Sequence, residues 1–204
     1  MKKLIAFTIG ILAVFVVYSA IKTPALGSES AGPAVGMTIE SFKTRDLNGE
    51  EVDSALFEDA ELTVINYWAT WCPPCRMEMP DLSKLHAEYS ETPENDIQLI
   101  GVICEGNGCT PASAKQYLHE NGFEWRNIRS TAELDKVFYT SNSIPQTLVV
   151  DKTGKVLMHK IGAFTSYDQL IESLKPYMGD GNASPSATDA ASDTKPKASS
   201  CWSF

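Results

Sequence analysis

The chain has 204 residues, 43% of them hydrophobic and 21% charged, a balance that excludes whole-chain disorder and a polytopic membrane protein. Its formal net charge of −9 excludes a general electrostatic footprint for nucleic acid. The five cysteines, at positions 72, 75, 104, 109 and 201, are too few for a disulfide-knot scaffold at this length, so their spacing is what needs explaining.

Met1-Lys2-Lys3 precedes an uncharged run from Leu4 to Ile21. As a helix that run would span about 27 Å, against a hydrocarbon core of about 30 Å. The two lysines ahead of it favour an inside N-terminus and an exported body. Thr23-Pro24-Ala25 and Ala25-Leu26-Gly27 are both passable cleavage sites, whereas the length of the run favours a retained anchor, and both readings stay open. No cysteine follows the run closely, which disfavours a lipoprotein. Residues 1–21 are thus a signal peptide or membrane anchor, 22–35 a linker, 36–178 a single domain, and 179–204 a tail of Ala, Ser, Asp, Pro and Lys expected to be disordered. The expected location is extracytoplasmic, anchored to the cell membrane or secreted after cleavage.

Within the domain, Asn48-Gly49 between Phe42 and Val52 predicts a β-hairpin. Leu62–Ala69 reads as a buried strand. The helix after it carries Leu82, Leu85 and Tyr89, with Pro80 expected to kink it. Ile97–Ile103 is a second buried strand. Thr110-Pro111 reads as an N-cap and first turn of a helix that stops at Asn121-Gly122. Ser130 and Glu133 fit a capping box for a short helix with Leu134, Val137 and Phe138. Strands over Gln146–Asp151 and Lys155–Lys160 follow, and then a helix with Leu170, Ile171, Leu174 and Tyr177. This order predicts an α/β domain with a mixed sheet.

The chemistry is concentrated in Trp71-Cys72-Pro73-Pro74-Cys75, between the first buried strand and its helix. Cys72 falls at the helix N-terminus, where unpaired N–H groups and the macrodipole favour a thiolate. Cys75, one turn deeper, can attack a mixed disulfide formed at Cys72. The prolines remove two competing backbone donors.

With the strand Val64-Ile65-Asn66-Tyr67-Trp68-Ala69-Thr70 before it, this motif resembles the thioredoxin-fold proteins, and most closely the extracytoplasmic TlpA/ResA-like thiol–disulfide oxidoreductases. Pro80, the Ile144-Pro145 loop and the Asp46–Gly49 hairpin fit the same family. The resemblance covers residues 36–178. It implies a thioredoxin-like mixed sheet flanked by helices, with an added N-terminal β-hairpin. It also implies a cis Pro145 that shapes the substrate groove, although a loop terminator is the plainer reading of that proline. Asn66 stands where thioredoxin has a buried aspartate. Glu78 matches a family glutamate assigned to proton transfer, with a solvated helix residue as the alternative. The implied activity is reduction of protein disulfides through Cys72 and Cys75, without a bound cofactor. The implied partners are protein thiol or disulfide substrates and a membrane electron donor of CcdA or DsbD type. A peroxiredoxin is disfavoured, because its Pro and Thr or Ser positions are here Ile65 and Ala69.

Cys104 and Cys109 flank Glu105-Gly106-Asn107-Gly108. In an exported protein this spacing predicts a structural disulfide closed by a glycine-rich turn. A second redox pair is the alternative, because Cys109 also lies near a helix start. A metal-binding thioredoxin-fold module is the non-enzyme alternative. Zinc would use all four of these cysteines, and copper would require a distal histidine that His86, His119 and His159 do not obviously supply. Cys201 reads equally as an incidental thiol, an intermolecular linker or a resolving cysteine on an arm.

Overall fold

A computed structural model describes residues 32–89 and 97–178. The readings made on residues 1–31 and 179–204, including the signal or anchor and the tail, lie outside the described residues.

The chain forms β1 (Lys43–Arg45), β2 (Glu51–Asp53), a 3-10 turn (Ser54–Asp59), β3 (Leu62–Trp68), α1 (Pro73–Tyr89), β4 (Ile97–Ile103) and α2 (Pro111–Glu120). These are followed by β5 (Asn127–Arg129), α3 (Ala132–Phe138), β6 (Gln146–Asp151), β7 (Val156–Ile161) and α4 (Tyr167–Leu174). Five strands make one sheet in the order β5-β4-β3-β6-β7, and β1 and β2 pair separately. β3 runs parallel to β4 and antiparallel to β6, so the sheet is mixed. Every residue of β3 is buried. This accounts for its continuous apolar character, because a central strand covered on both faces has no polar face to show.

Both sheet edges are covered, which keeps their unpaired N–H and C=O groups from recruiting another strand. On the β7 side, residues 36–39 lie along the strand: the Gly36 amide donates to Val156 O at 2.9 Å and the Val156 amide to Met37 O at 2.8 Å. On the β5 side the hairpin docks through the Leu47 amide to Asn127 O at 3.0 Å and Thr44 Oγ1 to Arg129 O at 2.9 Å.

The hairpin turn is built by Asp46 as well as by Asn48-Gly49. Asp46 Oδ1 accepts the Asn48 and Glu50 amides at 2.8 and 3.0 Å, and only Gly49 takes a positive φ, 91°. Thr131, not Ser130, caps α3: Thr131 Oγ1 accepts from the Leu134 amide, while the Ser130 hydroxyl donates to Asp135. Two adjacent cap-forming residues look alike in a sequence, and the competing Asp135 contact decides between them. β5 and the 3-10 turn were not expected. Tyr177 lies beyond the end of α4, and Pro80 lies inside α1.

Candidate active site

β3 ends at Trp68, and the Cys72 amide donates back to Ala69 O at 3.2 Å, so the chain turns sharply into α1. Pro73 and Pro74 open that helix without N–H groups. The first free amide is therefore that of Cys75, and it points at Cys72 Sγ, 3.2 Å away. A donor at this range stabilises negative charge on the Cys72 sulfur, as does the helix end behind it. Cys72 and Cys75 are joined in a disulfide with their Cα atoms 5.3 Å apart. Cys75 is fully buried and Cys72 nearly so. Met77, one turn on, is the most exposed large apolar side chain among the described residues, at 78%.

Glu78 is not a solvated helix residue. It is 1% exposed and lies three positions after Cys75, on the same side of α1. Its carboxylate accepts Asn66 Nδ2 at 2.8 Å and the Phe164 amide at 2.9 Å. Burial pushes its pKa up to about 7, against the lowering effect of those two donors and of Lys160. Asn66 Nδ2 also reaches Thr147 Oγ1 at 3.2 Å, and Asn66 Oδ1 has no hydrogen-bond partner. Sequence reasoning missed the Phe164 amide and Thr147. A backbone donor 86 positions away leaves no mark in composition or spacing.

The Ile144–Pro145 peptide is cis. The Pro145 carbonyl accepts the Gly162 amide at 2.9 Å, and Gln146 Nε2 donates to Ser143 O at 2.7 Å, so the loop is held from both sides. Below it, His159 Nδ1 accepts the Ala34 amide at 3.1 Å, which leaves Nε2 to donate to Gln146 Oε1 at 2.9 Å. Burial holds this histidine neutral, with a pKa near about 4.

The loop after β4 packs against the redox motif. Trp71 Nε1 donates to Gly106 O at 3.0 Å. Arg76, exposed on α1, places its guanidinium 5.3 Å from the Tyr117 ring centroid on α2.

The expected Cys104–Cys109 disulfide is not formed. The turn itself is present, with positive φ at Gly106, Asn107 and Gly108. However, Gly106 and Cys109 exchange both amide bonds, at 3.0 and 2.8 Å. That register sets Cys109 opposite Gly106 rather than opposite Cys104. Cys109 is a buried free thiol. Among the described residues no group of three or more His, Cys, Asp or Glu side chains could hold a metal ion.

A thioredoxin-like sheet with a dithiol pair at the start of the helix after its central strand defines a thiol–disulfide oxidoreductase. The chain belongs to the AhpC/TSA family, whose profile matches residues 35–159. It is 27% identical over 151 residues to the thiol-disulfide oxidoreductase ResA of Geobacillus thermodenitrificans (strain NG80-2), an alignment covering 73% of this chain and 83% of that protein. The fold is similar to that of StoA from Bacillus subtilis (TM-score 0.54, 23% identity, 69% of this chain and 98% of that one). It is also similar to a thiol:disulfide interchange protein from Chlorobium tepidum TLS (TM-score 0.58, 24% identity, 70% and 96%).

Proposed function

We propose that this oxidoreductase works outside the cytoplasm as a reductase of protein disulfides. The observation that carries the reading is the Cys72–Cys75 disulfide, with the first free amide of α1 directed at Cys72 Sγ. In the reduced protein the Cys72 thiolate attacks one sulfur of a substrate disulfide. A Cys72–substrate bond forms, the substrate S–S bond breaks, and one substrate thiolate leaves. The Cys75 thiol then loses its proton to Glu78 and attacks Cys72 Sγ. The second substrate thiol leaves, and the Cys72–Cys75 disulfide remains. Two electrons have passed to the substrate, and a membrane dithiol donor of CcdA or DsbD type returns them. Pro145 shapes the groove in which the substrate strand lies.

The external location rests on the Leu4–Ile21 run and the lysines before it. Among the described residues no helix is long and apolar enough to cross a membrane. The reducing direction rests on Pro74 before Cys75 and Ile144 before Pro145.

Insulin reduction tests the roles of the two cysteines. Cys72→Ser should abolish it, and Cys75→Ser should accumulate mixed disulfides at Cys72. Trapping by Cys75 alone would reverse the roles. Titration against glutathione tests the direction: a potential near thioredoxin, about −270 mV, is expected, and one near DsbA, about −120 mV, would make the protein an oxidant. Stoichiometric metal in the purified chain would instead favour a metal-binding module.

A further inference from the structure

We propose that Gln146 is a positioning residue for protein substrates: its side chain, locked in one orientation by His159, holds the Ser143–Pro145 loop in place beside the redox motif. The proposal rests on the assignment of Pro145 to the substrate groove. Gln146 opens β6 and pairs with Tyr67, near the end of β3. The loop ahead of β6 and the Trp71–Cys75 motif after β3 therefore leave the sheet at the same end, from adjacent strands.

Gln146 is buried and uses both ends of its amide. Nε2 donates to Ser143 O at 2.7 Å, reaching back across Ile144 and Pro145, and Oε1 accepts from His159 Nε2 at 2.9 Å. His159 Nδ1 in turn accepts the Ala34 amide at 3.1 Å. The two ends of this chain are backbone groups of fixed character: the Ala34 amide can only donate and the Ser143 carbonyl can only accept. Each group between them therefore has one sense. Reversing the Gln146 amide would set its oxygen against the Ser143 carbonyl and its NH2 against the ring nitrogen that carries the proton. His159 is itself pinned, because Gly32 lies so close that a Cβ there would be 2.3 Å from His159 O and 2.8 Å from His159 Cγ.

The consequence falls on Ile144. Ser143 O is engaged by Gln146 and Pro145 O by the Gly162 amide, so Ile144 lies between two fixed carbonyls. Its own amide and carbonyl make no hydrogen bond among the described residues, and they are open to the backbone of an extended protein substrate. A small disulfide has no such backbone and gains nothing from the loop.

Kinetics with a protein and a small substrate test this on the full chain. Gln146→Met keeps a side chain of similar length and removes both bonds. His159→Phe keeps a buried ring and frees the Gln146 amide to turn. The quantity read is the ratio of kcat/KM for insulin to kcat/KM for a small aromatic disulfide. It should fall about five- to tenfold in Gln146→Met, the loss expected for one hydrogen-bonded contact. It should fall less in His159→Phe, and in both variants through KM. If the wild type runs as an oxidant, the same ratio is read with a reduced protein and a small dithiol, which separates a wrong direction of electron flow from a wrong role for Gln146. If Gln146→Met does not fold, as judged by circular dichroism, the His159→Phe ratio decides. An unchanged ratio, an equal loss with both substrates, or a loss in kcat with KM unchanged would overturn the proposal.

Discussion

Glu78 is a carboxyl group in a site made for a neutral one. Its two acceptor oxygens are each met by a donor, from Asn66 and Phe164, yet burial still outweighs them and leaves the pKa near about 7. A group poised there can take a proton from a neighbouring thiol and return it at neutral pH. Glu78→Gln removes that titration while keeping the shape. Asn66 can accommodate the change, because its unpartnered Oδ1 can accept from the new amide once Asn66 rotates. The pH–rate profile of thiol alkylation should therefore lose the limb near pH 7, with the far-ultraviolet circular dichroism unchanged. An identical profile for both cysteines would make Glu78 a structural residue only.

At the scale of elements, β5 is three residues long, pairs with β4 through three residues, and makes one close side-chain approach to it. Gly101 on β4 sits against the Asn127 side chain of β5, and a Cβ built at Gly101 would lie 1.8 Å from Asn127 Oδ1. That same oxygen accepts the Trp68 indole N–H at 2.8 Å, and Asn127 Nδ2 closes the group on Trp125 O at 2.9 Å. Gly101→Ala must displace the Asn127 side chain and strip the indole of its acceptor. Overpacking of this kind costs roughly 1–3 kcal/mol, and a buried donor left unpaired adds to it. Urea unfolding should show that loss, with a change in tryptophan fluorescence of the folded state. Full stability in Gly101→Ala would mean that β5 moves freely. The hairpin docked on β5 should then detach easily as well.

For the molecule as a whole, two buried groups titrate in nearly the same window with opposite sign. The pKa of Glu78 is raised in the folded state from 4.5 to about 7. Its contribution is present below pH 4.5 and is lost as pH rises through 7. The pKa of His159 is lowered from 6.5 to about 4 by burial. Its contribution is present above pH 6.5 and is lost as pH falls towards 4, because the unfolded chain then binds the extra proton. Each shift corresponds to about 3 kcal/mol, so the two largely cancel and the intact protein should vary little in stability between pH 4.5 and 6.5. The single variants should separate them. Glu78→Gln should become steadily more stable from pH 4 to 6.5, and His159→Gln steadily less stable from pH 4.5 to 7. Parallel curves for wild type and both variants would show that neither group is linked to folding. In His159→Gln the contact with the Ala34 amide is also lost, so residues 32–39 along β7 should exchange amide hydrogens faster.

What the amino-acid sequence determined by itself is whatever depends on neighbours along the chain. The apolar runs Leu62–Trp68 and Ile97–Ile103 are strands because a fully covered strand must be apolar throughout. Trp71–Cys75 is legible because its chemistry needs a thiol at a helix start and another one turn on. Thr110-Pro111 and Asn121-Gly122 bound α2 through local cap geometry. Tertiary structure decided whatever depends on register and on partners distant in the chain. β5 carries too few residues for a pattern and exists because Gly101, Val102 and Ile103 pair with it. Glu78 could be read as a surface or a buried residue until Asn66, from β3, and the Phe164 amide, from beyond β7, closed around it. The cysteine pairing went the same way. The glycine turn between Cys104 and Cys109 is local and formed as expected, but the backbone bridge sets Cys109 opposite Gly106 rather than opposite Cys104. A disulfide requires its Cα atoms about 4.4–6.8 Å apart with the side chains directed at each other, and sequence separation alone fixes neither condition.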